Sequence, residues 1–256
     1  MVRLGRGFSD QERVWQKIDG AVYDRILSTN PLTEEVLRAE QVIAQSLLEK
    51  AGSQATLIEI GSGPGNFWEP HQGSCAQIVA IDNSPMMARC AEAAVRQSRT
   101  SVFCVHGDAV ELRRHLDDID AGGGRVRSSP KVFAIVTNTL GIMESGIRSR
   151  VLREIRLYAQ PGDHLLLANF RGERFHDGVR GFYELCPELC GRLRRGDADY
   201  ATTTLTVRET GYCSHWFSGR EMEQLATVAG VNDFQIQHCG IGSILVGLWS
   251  APPTTE

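Results

Sequence analysis

Three acids stand at the ends of three apolar runs in the first half of the 256-residue chain. Residues 57–67 read Leu-Ile-Glu-Ile-Gly-Ser-Gly-Pro-Gly-Asn-Phe, with Glu59 just ahead of a glycine loop. The run before the loop has the composition of a parallel strand buried on both faces. Gly61, Gly63 and Gly65 accept positive φ and let a ligand approach backbone N–H groups. Gln77 to Asp82 is a second apolar run closed by an acid, 17 residues beyond Gly65. An acid about 20 residues past such a loop is placed to grip two ribose hydroxyls. Ser101 to Ala109 is a third run, ending Gly-Asp-Ala at Asp108. A glycine loop followed by two strand-end acids spells a nucleotide-like ligand.

The loop spacing narrows that ligand. Dinucleotide sites use G-x-G-x-x-G, with a helix N-terminus facing a pyrophosphate. Here the spacing is G-x-G-x-G, and Glu59 would repel a pyrophosphate. A carboxylate in that place suits a cationic group. S-adenosylmethionine carries an ammonium and no phosphate, so it fits better than a nicotinamide dinucleotide.

At these residues the chain resembles the class I S-adenosylmethionine-dependent methyltransferases. The resemblance spans about residues 35–250, and its specific part is 57–109. It implies an α/β, Rossmann-like fold: a seven-stranded, mostly parallel sheet with helices on both faces and an antiparallel last strand. It also implies S-adenosyl-L-methionine as cofactor. Glu59, Gly61, Ser62, Gly63 and Gly65 would surround its methionine part. Asp82, with Asn83 beside it, would bind the ribose. Asp108 and Ala109 would flank the adenine, and Asn138 would reach the amino group. Read without the resemblance, Asp82, Ser84 and Asp108 are also ordinary helix caps.

The elements that must position these residues follow from pattern. Residues 1–34 read as an N-terminal helical lid: Ser9-Asp10 can cap, and Val14, Trp15, Ile18, Val22 and Ile26 fall at helical spacing. Residues 35–256 read as the cofactor-binding domain, with strands near 132–136, 164–170, 234–238 and 243–249. The stretch 171–213 exceeds a normal connection and reads as an insertion over the cofactor mouth. Trp216 to Gly230 reads as the last crossover helix, with Ser218 as its cap.

Asn138 ends the fourth strand, where an acceptor would meet the sulfonium. Its amide can accept from an amine; as a turn residue it would need no such role. Tyr23 in the lid and Tyr183 in the insertion are candidates to shield the sulfonium, since an aromatic face stabilises a cation; packing is their plainer use. Asn138, Tyr23 and Tyr183 are therefore the expected catalytic residues. His176 and His215 titrate in the range of a base. The Asn/Asp-Pro-Pro-aromatic pattern of nucleobase and amide methyltransferases is absent; Asn138-Thr139-Leu140-Gly141 stands instead. Methyl transfer to a small molecule is the leading expectation. Attack at the aminocarboxypropyl carbon, including closure to azetidine-2-carboxylate, is the first alternative. A non-catalytic cofactor-binding protein is the second.

Composition bounds the rest. A formal net charge of −4 and a sequence pI near 6.0 do not suit a nucleic-acid surface. The Arg192-Leu193-Arg194-Arg195 cluster is short enough to be a solvated face. No run approaches the roughly 18 apolar residues of a membrane span, and the start lacks an apolar signal segment. Seven scattered cysteines without a C-x-x-C pair argue against zinc and for reduced thiols in a cytoplasmic protein. The expected partner is a small-molecule substrate, with no nucleic acid, membrane or metal; the oligomeric state stays open.

Overall fold

The computed structural model describes residues 11–96 and 99–250. The expected Ser9-Asp10 cap lies outside the described residues. The chain begins with helices α1 (Gln11–Trp15), α2 (Gly20–Thr29) and α3 (Pro31–Ala51). Strands and helices then alternate through β1 (Thr56–Ile60), β2 (Gln77–Asp82), α4 (Pro85–Ala94), β3 (Ser101–His106) and α5 (Leu112–Ala121). They continue through β4 (Lys131–Ile135), α6 (Ser145–Tyr158) and β5 (His164–Phe170). Next come α7 (Phe175–Gly181), α8 (Pro187–Cys190), β6 (Ala198–Asp199), β7 (Thr204–Val207) and β8 (Tyr212–His215). The chain closes with α9 (Gly219–Ala229), β9 (Asp233–Cys239) and β10 (Gly242–Leu248).

Seven strands form one sheet in the order β3-β2-β1-β4-β5-β10-β9. β1 to β5 pair in parallel, and β10 runs antiparallel to both β5 and β9. The strand order reverses beside β1, the place where open α/β sheets bind ligands. Side-chain alternation sets the two layers. Ile58 and Ile60 pack with Leu116 of α5, Leu152 of α6 and Ala226 of α9. Leu57 turns the other way, toward Leu47 and Leu48 of α3 and Ala91 of α4. Glu59 shares the face of Leu57, so the buried acid points toward α3.

Two expected elements differ. The lid is broken into α1 and α2, because the Asp19 side chain accepts from Ala21 and Val22 N–H and starts a new helix. The insertion carries a three-stranded antiparallel sheet, β6-β7-β8, which sequence pattern missed. Its strands are too short for a period of two to register. Trp216, expected in the last crossover helix, instead packs in the insertion with Phe170, Phe175, Phe182 and Tyr183. The helix begins at Gly219, where Ser218 and Glu221 form a capping box. Val14 and Ile18 of the lid join the same apolar cluster, so lid and insertion are packed together.

Candidate active site

The glycine loop leaves β1 with Gly61, Gly63 and Gly65 all at positive φ. Two of these positions also lack room for a side chain. A Cβ on Gly61 would collide with Thr139 Cγ2, and one on Gly65 would lie 3.1 Å from the Trp68 ring. Ser62 is buried and its N–H donates to the Ile81 carbonyl at 3.0 Å. Gly63 N–H donates to Asp82 Oδ2 at 2.9 Å, and Ser84 N–H donates to Asp82 Oδ1 at 2.8 Å. Asp82 therefore locks the loop to the end of β2. Asp108 Oδ1 accepts from Val110 N–H at 3.0 Å. The capping role weighed for Asp108 is present, and the residue still faces the cavity.

A chamber of about 310 Å³ opens above these strand ends, lined among others by Asp82, Asn83, Asp108 and Ala109. Two smaller chambers of about 20 Å³ each adjoin it. One holds Glu59, Ser62 and Thr137. The other is walled by Trp15, Phe170, Phe182, Tyr212 and Asn138. Tyr23 and Thr139 border all three chambers. The Tyr23 ring lies 3.7 Å from the position of a Gly63 Cβ and meets Trp15 edge-on at 5.2 Å.

The charge of this cavity has one sign. No lysine or arginine lines any of the three chambers among the described residues. Glu59 is 2% exposed, and its Oε2 has no hydrogen-bond partner. Burial holds its carboxyl well above the usual range, and Glu40 and Asp82 nearby push it further. Glu40, on α3, is completely buried and pushed up to about 8 by desolvation, against the pull of its bonds to Thr137. Burial first, then Glu40 and Asp82, raises Tyr23, so its phenol stays neutral. Buried acids without a cation are costly, and a cationic ligand would relieve that cost. A pyrophosphate would add to it.

A pH test follows from Glu40. Its folded pKa lies near 8 against an unfolded value near 4.5. A raised carboxyl contributes stability below the unfolded pKa and loses it as pH rises through the folded one. The melting temperature of the ligand-free protein should therefore fall between pH 5 and 8. Glu40→Gln should flatten that decline; an equal slope in both proteins would show that Glu40 does not titrate there.

The expected catalytic residues separate. Tyr23 is on the wall of every chamber. Asn138 reaches the aromatic chamber, and its amide is held at both atoms: Nδ2 donates to Ser214 at 3.0 Å and Oδ1 accepts from Phe170 N–H at 3.1 Å. Tyr183 is not on a chamber wall. It is fully buried, donating to Ser214 at 2.7 Å and accepting from the Trp216 indole at 3.0 Å. Its packing in the insertion core leaves no face for a sulfonium. His176 is exposed beside Asp177, and His215 is bonded to Glu221 at 2.9 Å; neither reaches the cavity. Sequence reasoning missed Glu40, Thr137, Thr139 and the part Trp15 plays. Trp15 was visible only as a lid residue at helical spacing, and nothing local marks Glu40 within an amphipathic helix.

The fold is that of solved S-adenosylmethionine-dependent methyltransferases. Residues 58–121 match the family described as methyltransferase domain. A Burkholderia thailandensis 1,6-didemethyltoxoflavin-N1-methyltransferase, solved with bound 1,6-didemethyltoxoflavin and S-adenosylhomocysteine, is 13% identical with a TM-score of 0.55, over 98% of this chain and 93% of that one. A Clostridium acetobutylicum S-adenosylmethionine-dependent methyltransferase is 11% identical with a TM-score of 0.57, over 90% and 97%. A Methanosarcina mazei S-adenosylmethionine-dependent methyltransferase is 17% identical with a TM-score of 0.54, over 80% and 96%. A search of curated proteins finds no match to the sequence. No helix among the described residues is long and apolar enough to cross a membrane. No group of metal-ligating side chains is assembled among them.

Proposed function

We propose that this protein binds S-adenosyl-L-methionine and transfers its methyl group to a small molecule. The observation that carries this reading is Glu59, buried beside the glycine loop with an unpartnered Oε2, on the wall of a cavity lined by acids and by no lysine or arginine among the described residues. Bound there, S-adenosylmethionine supplies an electrophilic methyl on a sulfonium. The protein's part is to bind, orient and keep out water. Asp82 has lone pairs left for ribose hydroxyls after its two backbone bonds. Asp108, on the wall of the same chamber, would accept from the adenine amine. Tyr23 sits where the chambers meet, so its ring face can lie against a sulfonium. The aromatic chamber suits a small, largely apolar acceptor. No histidine or lysine lines it among the described residues, so the acceptor must already be nucleophilic. Positioning then supplies most of the rate.

One observation favours a second reaction on the same ligand. The aromatic chamber is only about 20 Å³, too small for a second molecule without opening of the lid. Ring closure within the aminocarboxypropyl chain, releasing methylthioadenosine and azetidine-2-carboxylate, needs no acceptor space. Incubation with S-adenosylmethionine alone, then with a panel of small amines and phenols, separates the two. Acceptor-dependent S-adenosylhomocysteine is the expected product. Acceptor-free methylthioadenosine formed together with azetidine-2-carboxylate would replace methyl transfer by ring closure. Neither product, with tight cofactor binding, would mark a binding protein.

A further inference from the structure

Two imidazoles stand behind the ends of β2 and β3. His106 closes β3 and pairs with Asp82 across the sheet. Its Nε2 lies 3.2 Å from the Asn83 carbonyl, and Nε2 of His115, on α5, lies 3.1 Å from the Asp108 carbonyl. A carbonyl only accepts, so each Nε2 carries a proton and donates. Asn83, Gly107 and Asp108 line the chamber of about 310 Å³, whereas His106 and His115 do not. Gly107 is what lets the second ring in. A Cβ there would lie 2.5 Å from His115 Cε1 and Nε2. The same glycine ties the two strand ends together, its N–H donating to the Asp82 carbonyl at 3.0 Å.

Asp108 is thereby held at two points. Its carbonyl accepts from Glu111 N–H at 3.0 Å as well as from His115, which uses both lone pairs and fixes the peptide plane. Its Oδ1 accepts from Val110 N–H, and its Oδ2 has no partner among the described residues. From this geometry we infer that His115, seated on Gly107, aims Asp108 and so sets a preference for a 6-amino purine over a 6-oxo purine. His115 acts through Asp108 and is a positioning residue. The inference rests on the proposed binding of S-adenosylmethionine and adds what makes the site selective for its base. An exocyclic amine donates to a carboxylate, whereas a 6-oxo group offers it only lone pairs. A carboxylate held in place tells the two apart; one free to turn away does not. His106 has a different task. It steadies Asn83, next to the proposed ribose acid, and the sugar is the same in both purine ligands.

The test is calorimetric binding of S-adenosylhomocysteine and of S-inosylhomocysteine, in which an oxygen replaces the exocyclic amine. Both are titrated into the wild type, H115F, H115Q, G107A and H106F, after melting curves confirm folding. H115F keeps a ring on Gly107 and removes the donor. H115Q supplies an amide donor instead. G107A leaves His115 in the chain but pushes its ring off the seat. The wild type should prefer the adenosyl ligand by about ten- to a hundredfold, the worth of a hydrogen bond to a charged group. That ratio should narrow to about threefold or less in H115F and G107A and persist in H115Q. H106F should keep it. Wild-type ratios in H115F and G107A would overturn the inference, and so would equal losses of both ligands, which reduce His115 to scaffold. A ratio that narrows in H106F too would make the effect a general loosening and overturn the assignment to His115. A wild type that binds both ligands equally would show that Asp108 does not read the base. Should H115F or G107A not fold, the other decides. A wild type that binds neither ligand would instead overturn the proposed function, and this inference with it.

Discussion

Asp82→Ala is expected to weaken S-adenosylhomocysteine binding by about 1.5–3 kcal/mol, roughly ten- to a hundredfold. The size comes from two losses at once. The carboxylate proposed to grip the ribose disappears. Gly63 N–H also loses its acceptor, so the glycine loop is no longer tied to the end of β2. Asp82→Asn separates the two, because an amide oxygen can still accept from one backbone N–H while presenting a weaker partner to the ribose. Its affinity should fall between wild type and alanine. Calorimetry on the folded variants makes the measurement. Unchanged affinity in Asp82→Ala would remove Asp82 from the site.

Tyr23→Leu is the second large effect, and it should appear in affinity for S-adenosylmethionine, whose sulfonium is charged once bound, and not for the uncharged thioether of S-adenosylhomocysteine. The ring borders all three chambers and stands edge-on to Trp15. An aromatic face is worth about 0.5–2 kcal/mol to a cation, so S-adenosylmethionine affinity should fall by roughly two- to thirtyfold. Tyr23→Phe keeps the ring face and should be mild. Burial and the nearby acids hold the phenol neutral, which leaves it no role as a phenolate base. A severe Tyr23→Phe would therefore reverse the assignment and make the hydroxyl the working group. Unchanged S-adenosylmethionine affinity in Tyr23→Leu would place the sulfonium elsewhere.

The parts of the fold legible in sequence were those written in local pattern. Buried parallel strands read as continuous apolar runs, so β1, β2 and β5 stood out, the first two with their acids Glu59 and Asp82. The glycine loop was legible because each glycine answers a positive φ. The insertion was not, since its two- and four-residue strands carry no period. Tyr183 and Asn138 show the limit most clearly. Their types suit chemistry, but whether a polar group is free depends on partners far away in the chain. Ser214, which bonds both, is 31 residues from one and 76 from the other. Glu40 was hidden for the converse reason: its partner Thr137 is 97 residues away, and only the fold brings them together.

The edge-on Trp15–Tyr23 pair has an optical consequence. The chain has four tryptophans, and Trp68, Trp216 and Trp249 are all buried away from the chambers. Trp15 alone stands on their walls, with an indole N–H that has no partner. Indole emission depends on local polarity, so a ligand arriving beside Trp15 should change intrinsic fluorescence while the other three stay constant. The protein thus carries its own dye at the joint between lid and cavity. Stopped-flow mixing can time ligand arrival directly, with Trp15→Phe as the dark control and no label attached.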